Sequence, residues 1–388
     1  MNAIKVQRTQ AEDALDLDLP TRRVESFHYT DLRSLLRELP EESGSSKEGV
    51  DYAPMVDTHL VSIRDGKLTA EQVLPSGVTF SSNAEKANSS DINDAIVSMN
   101  AATAGDAIAI EITGKETLEK PLGLGHVSTV DGRTGVYHRV IVKEGAQANI
   151  IERHTSAQGI GSLAAIVSEL TLEAGTKASW FIVQQENEAA TRLARLNVKL
   201  GADTDLSIFV LNAGGKLVRQ EINVEIQGEG ANLAIRGVNL IGENAHIDVT
   251  TVLDHQVPNT TATELFRNVV AGDGNGVFQG QIKVAQPAQK TDAQMACNTL
   301  LLTDESNFSA KPELEIFADD VVCAHGATVT DIDEGHLFYL RARGIDPKTA
   351  RGLLIKAFVD EVVEEAEMGE VLEESFVGII DSWLDENT

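Results

Sequence analysis

The stretch ELTLEAGTKASW (169–180) contains the pattern that decides the fold. Its first half alternates polar and apolar residues, which is typical of a β-strand with one buried face. Gly175 then allows a sharp turn of the backbone, and Trp180 follows five residues later in the next apolar segment. The stretch therefore predicts a strand, a turn and a second strand in quick succession.

The same arrangement recurs along the chain. Further alternating segments are VIVKEG (140–145), LNVKLGA (196–202), INVEIQGEG (222–230), HIDVTTV (246–252) and QIKVAQ (281–286). A glycine stands five residues before an apolar residue in the pairs Gly145 and Ile150, Gly175 and Trp180, Gly201 and Leu206, Gly230 and Ile235, and Gly242 and Ile247. Successive glycines lie 30, 26, 29 and 12 residues apart, and we interpret the last step as a half-coil. This period predicts stacked coils of a β-solenoid, with the five apolar residues pointing inward.

The fold class is therefore mainly β, with helical regions on both sides of the solenoid. We divide the chain into an N-terminal helical region with short strands (1–104), a β-helix core (105–330) and a C-terminal helical domain (331–388). The core lacks long helices between its strands, which argues against a doubly wound α/β fold. An antiparallel sandwich remains an alternative, because periodicity alone does not exclude it.

The C-terminal domain shows clear helix signals. Asp346 and Pro347 are suited to the cap and first turn of a helix, and Leu354, Phe358 and Val362 share one of its faces. The pattern fits either a cap for the solenoid or a docking element.

Composition excludes several classes of protein. The chain has 60 acidic and 32 basic residues, and this net charge of −28 disfavours binding to nucleic acid. No stretch reaches the roughly 18 apolar residues of a membrane span, and the first residues show no secretion signal. Two cysteines in 388 residues argue against a disulfide framework. We therefore expect a protein of the reducing cytoplasm.

The strongest chemical signal is FADDVVCAHGAT (317–328). If this segment is a strand, Cys323 and His325 project from one face and form half of a metal site for zinc or iron. The alternative is that neither residue binds a metal: Cys323 is then an ordinary strand cysteine, and His325 is a histidine held by hydrogen bonds. Iron–sulfur clusters usually need four ligands, so a chain with two cysteines should hold no stable cluster alone.

Two other functions stay open at this point. A β-solenoid with paired carboxylates such as Asp331 and Asp333 could be a secreted-type carbohydrate-active enzyme. The chain could also be a stand-alone homodimeric metal-binding protein. The sequence contains no nucleophile elbow, phosphate-binding loop or zinc-protease motif.

Several stretches together resemble the SufD family of iron–sulfur cluster assembly proteins. They are ESFHYTDL (25–32), KTDAQMACNTLLLTDESNFSAKPELEIFADDVVCAHGATV (290–329) and HLFYLRARGID (336–346), in the order of the family. The residues after His325, Gly-Ala-Thr, resemble SufD rather than its paralogue SufB, in which a glutamate is expected there.

The resemblance implies a right-handed parallel β-helix and the function of a scaffold, so we expect a protein that is not an enzyme. The implied partners are a SufB-like paralogue, paired through the β-helix, and a SufC-like ATPase, docked on the C-terminal helices at residues such as Leu354, Phe358 and Val362. His325, with Cys323 beside it, would lie at the SufB–SufD interface, where a transient cluster forms with ligands from both chains. We also expect the isolated chain to form a homodimer, because paralogues that share a symmetric interface can substitute for one another.

Overall fold

The solenoid predicted from the sequence is present. The computed structural model describes residues 19–37, 39–40, 47, 51–69, 74–84, 94–105, 107–114, 118–366 and 368–387. These residues form a parallel β-helix of about eight turns, with five helices outside it. The mainly β class is thus confirmed, and the antiparallel sandwich is wrong, because the strands of successive coils pair in parallel.

The elements follow one another in a regular order. The helices are α1 (Leu32–Leu35), α2 (Ala95–Thr103), α3 (Glu334–Ala342), α4 (Pro347–Glu365) and α5 (Glu370–Asn387), with a 3-10 turn at Glu25–Phe27. The strands are β1 (His59–Arg64), β2 (Lys67–Leu68), β3 (Val78–Ala84), β4 (Ala107–Ile112), β5 (Leu122–Ser128), β6 (Arg133–Val142), β7 (Gln147–Ser156), β8 (Leu163–Leu172), β9 (Lys177–Gln185), β10 (Thr191–Leu200), β11 (Asp205–Ala213), β12 (Leu217–Ile226), β13 (Asn232–Ile241), β14 (His246–His255), β15 (Thr261–Val270), β16 (Asn275–Val284), β17 (Asp292–Leu301), β18 (Asn307–Ile316) and β19 (Val322–Asp331).

The strands form two sheets that share one core. Sheet I contains β1, β2 and the odd-numbered strands from β5 to β19, and sheet II contains β3 and the even-numbered strands from β4 to β18. From β4 to β19, each coil contributes one strand to each sheet, and each strand pairs in parallel with the strand one coil away. At the other end, β2 and β3 pair antiparallel with β1 and β4.

The coils turn at residues in the left-handed backbone conformation. One such residue stands two positions before each strand of sheet I from β7 to β17: Gly145, Gly175, Asp203, Gly230, Asn259 and Lys290. The glycine pattern is therefore wrong at Gly201, because Asp203 takes the turn position and Ile208, not Leu206, is in register with Trp180. Asp and Asn adopt a positive φ more readily than most residues, so the repeat is only partly visible as glycine.

The shortened step at Gly242 is a genuine half-coil. Asn244, with a φ of 59°, holds the turn, and Ile247 lies on β14 of sheet II. Side chains from the two sheets meet in one apolar core. All five residues predicted to point inward are buried: Ile150, Trp180, Leu206 and Ile235 in the main core and Ile247 in an adjoining cluster.

The segment ESFHYTDL (25–32) packs on the outer face of sheet II. The guanidinium of Arg219 lies 4.1 Å from the centroid of the buried Phe27 ring. Asp248 forms a buried ion pair with Arg219 and accepts a hydrogen bond from Thr30 Oγ1. This network attaches the N-terminal segment to the solenoid, because removing Arg219 would leave the buried Asp248 carboxylate without its arginine partner.

The C-terminal helices cover the outer face of sheet I. Phe376 of α5 packs edge-on against Phe181 and Phe209, with ring centroids 6.3 and 5.0 Å away. At the start of α4, the side chain of Asp346 accepts a hydrogen bond from Thr349 N at 3.1 Å. The helical pair therefore covers the side of the solenoid and not its end. Within the described residues, no helix is long and apolar enough to cross a membrane.

Replacing Trp180 tests the core directly. The side chain is fully buried, and its Nε1 donates a hydrogen bond to Glu152 Oε2 at 2.9 Å. Trp180→Ala should lower the free energy of unfolding by about 3–5 kcal/mol, measured by urea denaturation. Trp180→Phe, which keeps most of the apolar volume, should cost clearly less. Equal small losses in both variants would contradict a closely packed solenoid interior.

Candidate metal-ligand site at the open end of the solenoid

The solenoid ends at two strands that have neighbours on one side only. β18 and β19 are the last strands of sheets II and I, and within the described residues no further strand covers them. Phe317 and Val322 are 64% and 62% exposed at this end, and Val329 is also exposed. β19 carries no charged residue before Asp331, so it lacks the charges that usually protect an edge strand from pairing. An apolar, unprotected edge of this kind indicates a protein interface.

Cys323 and His325 lie on this last strand. Register with β17 sets Cys323 beside Ala293 and His325 beside Met295. Ala293 and Met295 belong to the core, so the inward-facing row continues through Cys323 and His325 to the open end. Cys323 is half-buried against the core, whereas His325 is exposed.

The pair can offer one sulfur and one nitrogen ligand. Burial raises the pKa of the Cys323 thiol, so the isolated chain favours the neutral thiol over the thiolate that binds metals. Among the described residues, no third Cys, His, Asp or Glu completes a metal site here. A metal or cluster bound at this end must therefore take further ligands from another molecule.

Cys297 lies deeper in the same end of the solenoid. It pairs in register with Ala327 and accepts a hydrogen bond from Asn268 Nδ2 at 3.3 Å. Burial raises its pKa to about 12, so it remains a thiol in the core and is unsuited to be a ligand.

Glu264 is a buried acid that the sequence analysis missed. Register sets it beside Met295, which is in turn beside His325. Burial raises the pKa of its carboxyl to about 7, although the neighbouring Thr251 hydroxyl favours the charged form. Counting five residues from the turn at Asn259 leads to Glu264, so the corrected repeat would have placed it in the core.

The residues expected to dock an ATPase face the solenoid. Val362 is buried, and Leu354 and Phe358 are half-buried in the cluster between the C-terminal helices and sheet I. In addition, Arg267 of β15 lies 5.1 Å from the Phe358 ring centroid. The solenoid already covers this face of α4 in the isolated chain. A surface on the C-terminal helices that binds an ATPase must therefore use other side chains.

Comparison with known proteins agrees with the geometry. The family model described as SUF system FeS cluster assembly, SufBD core domain, matches residues 128–358. The chain is 30% identical to the iron–sulfur cluster assembly protein SufD of Escherichia coli, over 91% of this chain and 86% of that protein. The chain belongs to the SufD family.

Two further relatives match this chain over similar lengths. The chain is 28% identical to protein ABCI7, chloroplastic, of Arabidopsis thaliana, over 93% of this chain and 82% of that protein. It is 26% identical to an iron–sulfur cluster assembly SufBD family protein of Synechocystis sp., over 92% of this chain and 86% of that protein. The resemblance seen in the sequence is thus confirmed over most of the chain, and neither the enzyme nor the stand-alone metal protein is favoured.

The buried Glu264 predicts a pH dependence of stability. Its folded-state pKa of about 7 lies above the ordinary value of 4.5, so the folded state holds the proton more tightly. This contribution is complete below pH 4.5 and is lost as the pH rises through 7, at a cost of about 3 kcal/mol. Glu264→Gln should abolish this loss between pH 5 and pH 8 in urea denaturation. Exposed Glu229→Gln serves as the control, and an unchanged pH profile in Glu264→Gln would contradict the assignment.

Proposed function

We propose that this chain is the SufD-type scaffold subunit of an iron–sulfur cluster assembly complex and is not an enzyme. The observation that supports this most strongly is the half-site at the open end of the solenoid. Cys323 and His325 offer two ligands at an exposed edge, and a cluster requires more. A second chain that pairs with this edge would supply the rest.

The partner for this edge is a SufB-like paralogue. Membership of the SufD family supports a partner of this type. Exposed backbone groups on β18 and β19 favour strand-to-strand pairing, and Phe317 and Val322 supply apolar area to bury. In the absence of that partner, the same edge can meet a second copy of the chain, so we expect a homodimer of the isolated protein.

The iron–sulfur cluster is cargo of the complex and not a resident cofactor of this chain. It forms transiently between the two chains, and the isolated chain holds no cofactor stably. We place the complex in a reducing cytoplasm, where Cys323 stays free; one relative is named chloroplastic, so the family also occurs in an organelle. The net charge of −28 supports the absence of nucleic acid among the partners.

We also propose docking of a SufC-like ATPase on the C-terminal helical region. Because Leu354, Phe358 and Val362 face the solenoid, exposed side chains of α3 are better candidates. Phe338 and Tyr339 are 72% and 58% exposed on that helix. Aromatic side chains of this kind are the usual energetic centres of protein interfaces.

Replacement of His325 tests the assembly function. His325→Ala should leave the free energy of unfolding almost unchanged, because the side chain is exposed. Cluster formation on the purified complex with the SufB-like partner, followed by visible absorption, should fall by roughly tenfold or more. His325→Cys should restore part of the yield, since a thiolate is also a cluster ligand.

His59→Ala is the matched control, because His59 lies on β1 at the opposite end of sheet I. It should form clusters at the normal rate. Normal cluster formation by His325→Ala would contradict the site assignment.

Point substitutions on α3 test ATPase docking better than a deletion. Removing α4 and α5 would expose Phe181 and Phe209 and damage the solenoid. The double variant Phe338→Ala and Tyr339→Ala should weaken SufC binding by roughly tenfold or more in calorimetry, with SufB pairing intact. Val371→Ala, an exposed apolar residue of α5, is the control. Unchanged binding by the double variant would place the docking surface elsewhere.

A further inference from the structure

A second cluster of metal-ligating side chains lies inside the other half of the solenoid. His126 of β5 is in register with His154 of β7, and Glu152 lies two residues before His154. One possible ligand atom from each of the three lies within 4.8 Å of the others, and all three side chains are buried. None of them belongs to the motifs identified in the sequence, where the histidines are scattered.

This cluster is separate from the open end. β7 and β19 are six strand steps apart in sheet I, which is about 29 Å at the usual strand spacing. A function of the buried cluster therefore does not depend on the proposed role of Cys323 and His325.

The geometry leaves buried nitrogen atoms without hydrogen-bond partners. The Nε2 atoms of His126 and His138 are buried, and among the described residues neither has a partner. The rings of His126 and His154 stack with centroids 4.3 Å apart, and the His138 ring lies 5.1 Å from that of His126. Each unpartnered polar atom costs about 1–3 kcal/mol in a core. A metal ion bound to His126 Nε2 would remove that cost for this atom, whereas His138 lies outside the proposed ligand set.

The remaining contacts orient the carboxylate. Glu152 Oε1 lies 3.0 Å from His154 Nε2, and Glu152 Oε2 accepts the Trp180 Nε1 hydrogen bond. In metal sites, a hydrogen bond to the ligand from a residue that does not touch the metal fixes the orientation of that ligand, and Trp180 provides such a bond to Glu152.

The residue types also suit metal binding. Two imidazoles and one carboxylate are the ligand set of many zinc and non-haem iron sites.

One buried charge opposes a cation. Arg192 is fully buried and interacts electrostatically with Glu152. Glu186 also balances it, with Oε2 at 3.8 Å from Arg192 Nε. A bound metal ion would therefore share the Glu152 carboxylate with Arg192.

We propose that His126, Glu152 and His154 bind one divalent transition-metal ion of the zinc or ferrous type within the solenoid, where it stabilises the first coils. Because the ligands are buried, the ion enters during folding or a local opening and exchanges slowly. This site is additional to the cluster-assembly site and requires no partner chain.

Co²⁺ is the probe, because its visible d–d absorption reports nitrogen and oxygen coordination. The parent protein is the full chain with Cys323→Ala and His325→Ala, so the open end contributes no ligand. It is unfolded, freed of metal with a chelator, and refolded with Co²⁺. We expect about one Co²⁺ per chain, d–d absorption and slow loss to added chelator.

Two variants of this parent separate binding from folding. His126→Gln should lower Co²⁺ affinity at least about tenfold. His255→Gln is the matched control, because His255 is equally buried with an unpartnered Nε2 but lies outside the cluster, and it should bind like the parent. If the parent refolds without binding Co²⁺, the proposal is overturned whatever the variants do. Equal binding by parent and His126→Gln would also overturn it.

Discussion

In-register stacking of parallel strands is the constraint on which the rest of this structure depends. One residue of each central coil adopts the left-handed conformation two positions before its strand in sheet I, so equivalent residues of successive coils lie side by side. Ile150, Trp180, Ile208 and Ile235 form one such row through the core. The N-terminal segment and the C-terminal helices then pack on the outer faces that stacking leaves apolar.

Stacking also explains where the functional end lies. Each coil is covered by the next, but the coil of β18 and β19 has no successor within the described residues. The inward row that contains Met295 in the preceding coil therefore presents His325 to solvent, with Cys323 beside the core. A ligand pair that the next coil would cover elsewhere in the solenoid is a half-site open to solvent here. In our proposal, a SufB-type chain binds at this end because the last strands of the solenoid have no neighbour there.

The sequence predicted the solenoid because alternation and turn spacing are local properties. It failed at Gly201, where Asp203 supplies the turn, because positive φ is not confined to glycine. The strand that the sequence analysis assumed at Cys323 and His325 is present, and their spacing of two residues then sets both on one face. Glu264 and the row of His126 and His154 were missed, because their neighbours are a whole coil away in sequence. The buried face of Phe358 was missed because a helix pattern shows which face is apolar but not what covers it.

Hydrogen exchange of the backbone amides of β18 and β19 tests the central claim most directly. It is measured at a dilution at which the isolated chain is monomeric, with and without the SufB-like partner. We expect slower exchange for residues 307–331 in the complex, since strand pairing satisfies edge amides, and little change for β10 in the middle of sheet II. A complex that forms with unchanged exchange in 322–331 and new protection confined to α4 and α5 would contradict it.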